Sequence, residues 1–579
     1  MPAVADHPIW DATPILPTAN GRASVHVILG LAAQPYLNQR RTDALESQLP
    51  GRLYSILGDF NTKTARGNDS APYPGIRRMA GQRLTGAAAQ TEAMRALAHS
   101  RAGIESSLAP FEPRSTFAVW FSTFRGIEEL INLPGELRGE PLLDEIGGLA
   151  LLDMAGALRA LPSIKAGLES RFSRLVAKRL MQTLIQLQAI ALSFAMHQLP
   201  AARELATVGT AIGYLQSRRR HLLAFLHTIP GVCRGTQRLH ELDGLNQFLY
   251  LIETAGLGTT SMHHNLMLAL VYPDFALDVD AVGILASHSF NGLDALFLEP
   301  ERTAITEMAD VDLSVVKRVS VNRRLIFSKA ELENNLALMA AAYAEFNLHK
   351  TSFGQLAAFI RSLLSLVVDE YFVRLTVKRF DELCSEQKLP DALIGALVVQ
   401  GADYVDNTST YAPFTRVGGD LVTSITLLNR FANHWKSVCL NRVRRYQIRS
   451  GFIFEKSVKA ALRTQGFDVT EIKRVERAEF DVVATLDGVI YNVQCKNNLV
   501  DLNRIETDVR RFVRYNRSLD LAYRKALAKE RAREQTLLRE LGLTAIKHFV
   551  VSRYPVATQN PYVLAFGEIS RFRDIAVGT

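Results

Sequence analysis

Only four cysteines occur in 579 residues, Cys233, Cys384, Cys439 and Cys495, and they are scattered. No CxxC pair and no Cys/His cluster at zinc spacing is present, which excludes a zinc ribbon and argues against a disulfide framework. The pattern is that of a protein kept in a reducing, cytoplasmic compartment. No run of eighteen apolar residues without charge occurs, so no membrane-spanning helix is expected. The first residues, MPAVADHPIW, lack the basic and apolar regions of a secretory leader. There is no G-x-x-x-x-G-K-[ST], so neither a nucleotide cofactor nor ATP-driven translocation is expected. Three weaker motifs fail on spacing. Ala255-Gly256-Leu257-Gly258 lacks the third glycine of a dinucleotide fingerprint, and His263-His264 are adjacent rather than four apart. Asp274, Asp278 and Asp280 miss the calcium-loop positions.

What is present is an ordinary globular composition, 48% hydrophobic and 22% charged, long enough for several domains at about 100–200 residues each. The net charge of +9 becomes informative once located. From Lys436 onward 27 Lys and Arg stand against 16 Asp and Glu, whereas the rest of the chain has 40 against 42. All the surplus positive charge is therefore in the C-terminal quarter, the footprint of a polyanion-binding surface.

Along the chain, residues 1–80 read as an irregular segment and 81–400 as a mainly helical region for targeting, assembly or regulation. RSTFAVWFSTF fits either a strand or a buried helix. From Ser163 an apolar stripe (Ile164, Leu168, Leu175, Leu184, Leu187) marks a helix that stops before Pro200, where a second begins. The run Arg218–His221 on that second helix reads as a solvated face rather than a nucleic-acid patch. Ser328 with Glu331 and Ser352 with Gln355 fit capping boxes. From the second, an apolar-faced helix is expected to run on through Leu364 and Val367, buried against other helices or at an oligomer or partner interface. Residues 401–419 are polar and turn-rich and read as a linker, which places a C-terminal domain at 420–579.

Within that domain, residues 451–497 carry the chemistry. EFDVVATL and VIYNVQCK each alternate with period two around Asp487-Gly488, a pair suited to a type I′ hairpin turn that needs positive φ twice. Closing the turn there pairs Leu486 with Val489, Asp481 with Gln494 and Glu479 with Lys496, all four polar residues on one face. Opposed Cβ atoms lie about 4.5–5.5 Å apart, near enough for two oxygens to share one hard cation. The other face, Phe480, Val482, Ala484 and Leu486 against Tyr491, Val493 and Cys495, reads as core. Ahead of the hairpin, Phe454, Val458 and Leu462 mark one side of a helix, with Glu455 one step round and able to face Asp481. Oxygen ligands of this kind hold Mg²⁺, which lowers the pKa of a water, while a lysine orients that water or neutralises a phosphoryl group. After the hairpin a long helix is expected over 503–541, with Arg510, Arg514 and Arg517 on one face; TAIKHFVVS and YVLAFGEI read as further strands.

These residues resemble the PD-(D/E)xK nuclease superfamily, in particular its Mrr-like restriction endonucleases and Holliday-junction resolvases. The matching pieces are G-x-x-F-E-x-x-V (Gly451, Phe454, Glu455, Val458), G-F-D-V (Gly466 to Val469), E-F-D-V-V and Q-C-K-N. Phe480-Asp481 stands for the usual Pro-Asp, and Gln494 for the usual Glu, which removes one negative charge. The resemblance covers about the last quarter of the chain. It implies a restriction-endonuclease-like α/β domain with a central mixed sheet flanked by helices, joined to the helical region. It also implies Mg²⁺ (with Mn²⁺ substituting) held by Asp481, Gln494 and the Cys495 carbonyl. Glu455 would contact the ion directly or through water, and Lys496 would serve the nucleophile. The expected substrate is DNA, with RNA left open, in restriction or anti-phage defence. Arg445, Arg449, Arg510, Arg514 and Arg517 are the expected phosphate contacts. The alternative is a nuclease-fold protein that binds nucleic acid as a scaffold without cleaving it, with Gln494 as the symptom.

Overall fold

The structure is a computed structural model and describes residues 80–196, 200–239, 244–279, 284–288, 316–498, 508–554 and 556–578. The expected segment over 1–80 lies almost wholly outside these residues, as do Asp280 and residues 503–507 of the expected long helix. A mainly helical region precedes an α/β region, as the sequence suggests. Among the described residues no helix is long and apolar enough to cross a membrane.

Helices α1 (Gly86–Leu108), α2 (Pro113–Glu136), α3 (Arg174–Met196), α4 (Val208–Val232) and α5 (Leu257–Val271) form much of the helical body, and β1 (Arg83–Thr85), β2 (Ala276–Val279) and β3 (Ile284–Ala286) make a small sheet ordered β1-β2-β3. The ambiguous RSTFAVWFSTF run is inside α2. Pro113 occupies the first turn, where no N–H is needed, and the Glu112 carboxylate accepts from the Arg114 and Ser115 N–H groups. Phe117, Trp120, Phe121 and Phe124 are then buried together.

The helical body departs in several places from what periodicity and polarity suggest. The stripe from Ser163 is split between a helix at Met154–Arg171 and α3, and α4 begins at Val208, not Pro200, with Thr207 as its cap. The Arg218–His221 run is not a solvated face. Arg219 reaches Glu128 at 2.7 Å and Arg220 reaches Thr408 at 2.9 Å, both inside the core. His221 Nδ1 is hydrogen-bonded to the Tyr404 hydroxyl at 2.7 Å, and Arg218 pairs with Glu253 at 2.9 Å. The Glu331 carboxylate accepts from the Ser328 N–H as expected. The second box does not form, because Thr351 is the cap and Gln355 donates to the Lys388 carbonyl. The helix after it stops at Leu364. VVDEYFVRLT instead makes a hairpin of β4 (Val367–Val368) and β5 (Phe372–Thr376), turning through positive φ at Asp369 and Glu370. With β6 (Thr415–Val417) and β7 (Asp420–Ser424) it forms a four-stranded sheet ordered β4-β5-β7-β6.

Residues 401–419 are not an exposed linker. Tyr404, Val405, Asn407, Thr408, Tyr411 and Phe414 are buried in the body, and their polar atoms find partners there. Asn407 donates to Thr228 Oγ1 at 3.1 Å, and the Tyr411 ring stacks on His434 with centroids 4.1 Å apart. Helix α6 (Ile425–Leu440) belongs to the same core, which extends to Tyr446 at the start of α7 (Arg444–Thr464). A separate core begins at Phe454.

That second core is built on a mixed five-stranded sheet ordered β14-β13-β12-β11-β8, in which β8 is Asp468–Val469, β11 Val482–Leu486, β12 Val489–Lys496, β13 Ala545–Ser552 and β14 Val563–Ala565. The hairpin forms as expected: Asp487 and Gly488 have φ of 49° and 76°, and Leu486 pairs with Val489. Strand β13 runs parallel to both β12 and β14. One face packs on Phe454, Val458 and Leu462 of α7 and on Phe572. The other is covered by α8 (Val509–Ala532) and α9 (Glu534–Leu541), which replace the single helix expected to Leu541. Helix α8 also joins the two regions. Its Phe512, Leu519 and Tyr523 share a buried cluster with Ala89 and Ala93 of α1 and with Met267 and Leu268 of α5.

Candidate active site

Strand β11 begins at Val482, so Asp481 stands one residue beyond the last ladder pair, Val482 with Val493. Its carboxylate turns across to β12, where Oδ2 accepts from the Cys495 N–H at 2.7 Å and from the Gln494 side-chain amide. The expected juxtaposition of Asp481 and Gln494 is therefore present. In extended backbone the N–H and C=O of one residue point toward the same neighbouring strand, so the Cys495 carbonyl also faces the Asp481 side. The next residue faces the other way: the Lys496 carbonyl accepts from the Arg553 N–H at 2.9 Å, beyond β13.

Glu479 does not join them. It pairs with Arg474 in a separate ribbon of β9 (Arg474–Val475) and β10 (Ala478–Glu479), which turns through Glu476 at φ 53°. The ribbon peels away from β12 just where Lys496 would have met Glu479. The irregular backbone at Asp481 also moves Phe480 to the face opposite the one expected, where it packs with Val483, Ile490 and Leu537.

Helix α7 buries Phe454, Val458 and Leu462 against the sheet, and this leaves Glu455 half-buried beside them. Burial first, and the nearby Asp481 carboxylate second, push the Glu455 carboxyl up to about 7, against the pull of Lys473 and Lys459. Asp481 is also raised, because its burial outweighs the Cys495 N–H, Lys496 and Gln494. Two neighbouring carboxylates that both resist ionisation are the arrangement a divalent cation relieves. The donor set, two carboxylates with an amide and a carbonyl oxygen, suits a hard ion such as Mg²⁺. Among the described residues no group of three His, Cys, Asp or Glu side chains could hold a metal, so neutral oxygens would have to complete the shell.

The proposed phosphate contacts differ in their surroundings. Arg445, Arg510 and Arg514 are exposed. Arg449 instead pairs with Glu345 and lies over the Phe346 ring at 5.6 Å, so it ties α7 to the body. Arg517, though exposed, donates to the Leu270 carbonyl at the end of α5 at 3.2 Å.

Two supporting networks escape a reading by charge and periodicity. On the same face of β12 as Gln494, buried Asn492 donates to Glu530 Oε2 at 2.8 Å, and Glu530 also holds Arg533. Glu530 is 1% exposed. Past Lys496, Asn497 links α7 to the loop after β13, donating to Ser450 Oγ at 2.8 Å and accepting from Arg553 at 2.9 Å. A polar residue in the middle of an apolar strand, as Asn492 is, was the available signal for the first. Nothing in the spacing marks the second. No family model matches the chain, and no curated protein or solved structure shows significant similarity to it.

Proposed function

We propose that the C-terminal region is a Mg²⁺-dependent endonuclease of the PD-(D/E)xK type that hydrolyses phosphodiester bonds in DNA. The observation that carries this reading is the Asp481 carboxylate. It is held at the end of β12 by Gln494 and the Cys495 amide, with Lys496 next along the strand and the Glu455 carboxyl raised by its burial and then by the Asp481 charge. Asp481, Gln494 through its carbonyl oxygen, the Cys495 carbonyl and Glu455 would hold the ion. When bound, such an ion lowers the pKa of a water and offsets phosphate charge. The chain's own part is to position: Asp481 is oriented by two donors and stands one residue past the last ladder pair. Lys496 supplies a fixed positive charge beside Asp481, suited to a phosphoryl oxygen as charge builds there. Surplus charge in this quarter of the chain favours a polyanionic substrate. Restriction or defence against phage is the setting this chemistry suggests, with the helical body left to supply targeting or assembly.

One observation favours the second reading, a nucleic-acid-binding scaffold without cleavage. Gln494 gives its amide nitrogen to Asp481, so the carboxylate is satisfied by the chain itself. The two readings separate in an assay of labelled DNA and RNA oligonucleotides with Mg²⁺ or Mn²⁺. Cleavage that disappears in Asp481→Ala supports the enzyme, whereas binding without cleavage under either metal supports the scaffold.

A further inference from the structure

An aromatic ring in water is costly to leave uncovered, and α7 presents one beside the candidate site. Phe452 is 52% exposed, and Ile448, one turn earlier, is 46% exposed. Phe452 precedes Glu455 by three residues, so the two share a side of the helix. Lys473, on the segment leading into β9, ties them together. Its ammonium lies 5.6 Å from the centre of the Phe452 ring, and its charge also acts on Glu455. Exposed Arg445 extends the same stripe one turn beyond Ile448. The order along the helix is cation, aliphatic, aromatic, carboxylate, with a second cation over the ring.

An apolar surface that docks another protein is depleted of charge at its centre; this one has a lysine on its ring. Aromatic faces set among cations are instead the way proteins bind unpaired nucleic acid, because every base offers a π-face and the cations follow the backbone. Inside an intact duplex the base faces are already stacked on one another and are not open to such a ring. We propose that Phe452 is a stacking platform for an unpaired nucleobase next to the scissile phosphate. The preferred substrate is then single-stranded DNA, free or as a gap in a duplex, rather than uninterrupted duplex. This rests on the nuclease reading above and adds a substrate class to it.

The test uses the full chain carrying Asp481→Ala, which binds without cutting, and DNA containing 2-aminopurine either in a single strand or in a duplex. Binding to the single strand should quench the fluorophore. Phe452→Ala should abolish most of the quench and weaken single-strand affinity about tenfold, with duplex affinity changed less than about twofold. Phe452→Trp should retain both quench and affinity, which separates stacking from damage to the helix. Equal losses for single strand and duplex, or no loss for either, overturn the proposal. So does a Phe452→Ala effect confined to the sedimentation of the protein, which would assign the ring to a second copy. Cleavage of the same oligonucleotides by the chain with Asp481 intact separates the two claims. Cleavage whose single-strand preference survives Phe452→Ala sinks the platform and leaves the nuclease. Binding and quenching with no cleavage under Mg²⁺ or Mn²⁺ sinks the nuclease reading, and with it the placement at a scissile phosphate.

Discussion

Glu530 is a carboxylate with almost no access to water, and its removal should loosen the strand that carries Gln494 and Lys496. It accepts from Asn492 at 2.8 Å and from Arg533 Nε at 3.0 Å, and the Arg533 guanidinium lies 4.5 Å above the Phe480 ring. Glu530→Ala leaves Arg533 over an aromatic ring without its counter-charge. Asn492 keeps only its contact with His548 Nδ1 at 3.2 Å. Breaking a buried ion pair costs about 3–5 kcal/mol, and a charge-assisted hydrogen bond about 1.5–3 kcal/mol. The Arg533 side chain keeps 17% of its exposure, so the low end applies, about 3 kcal/mol. Glu530→Gln preserves an acceptor for Asn492 but not the charge, and should cost about 1–2 kcal/mol. The assay is hydrogen exchange on residues 489–496, read as the opening free energy of β12. Opening free energies within about 0.5 kcal/mol of the parent protein in Glu530→Ala would refute the claim that this network braces the strand.

His227 is buried, bonded to Thr415 Oγ1 at 2.7 Å, and depressed to about 3 by burial and by Arg430. Its folded pKa lies below the unfolded value of about 6.5, so the unfolded chain binds the extra proton as pH falls from 6.5 toward 3. Up to about 5 kcal/mol of stability should disappear over that window, and His227→Asn should flatten acid denaturation measured by circular dichroism. Neutralising Arg510 and Arg514 should reduce the salt dependence of DNA binding by about one slope unit for each phosphate no longer neutralised. Arg517→Ala should change that slope less and raise exchange at the end of α5, because Arg517 already serves the Leu270 carbonyl. Gln494→Glu should raise Mg²⁺ affinity in calorimetric titration while destabilising the metal-free protein, since a third carboxylate replaces the donor to Asp481. Complete loss of metal binding in that variant would contradict the ligand assignment.

Where geometry follows from a local rule, the sequence was informative. Asp487-Gly488 admits the turn that sets the register, and the register brings Asp481 to Gln494. The rule failed two residues further on, because the register assumes a continuous ladder and Glu476 turns Glu479 into its own ribbon. Polarity misled in both directions in the body. Arg219 and Arg220 read as solvent-facing and 401–419 as a polar linker, yet Arg219 meets Glu128, Arg220 meets Thr408 and Asn407 meets Thr228 inside the core, which composition alone does not reveal. The apolar run after Ser352 hid a hairpin because Leu and Val mark buried helix and buried strand alike; only the turn at Asp369 and Glu370 distinguishes them. The partners of Glu530 and Asn497 lie 38 and 56 residues away in sequence, at Asn492 and Arg553, beyond the reach of any periodic pattern.

In the proposed mechanism Asp481, Gln494 and Lys496 form one hydrolytic site. Its most direct measurement is the initial rate of phosphodiester cleavage by the full chain in Mg²⁺, compared with Asp481→Ala and Lys496→Ala chains of matched thermal stability. The parent should cleave, and each variant should be slower by at least about a hundredfold, the scale on which charged groups stabilise such a reaction. Undiminished cleavage in either variant would contradict the claim.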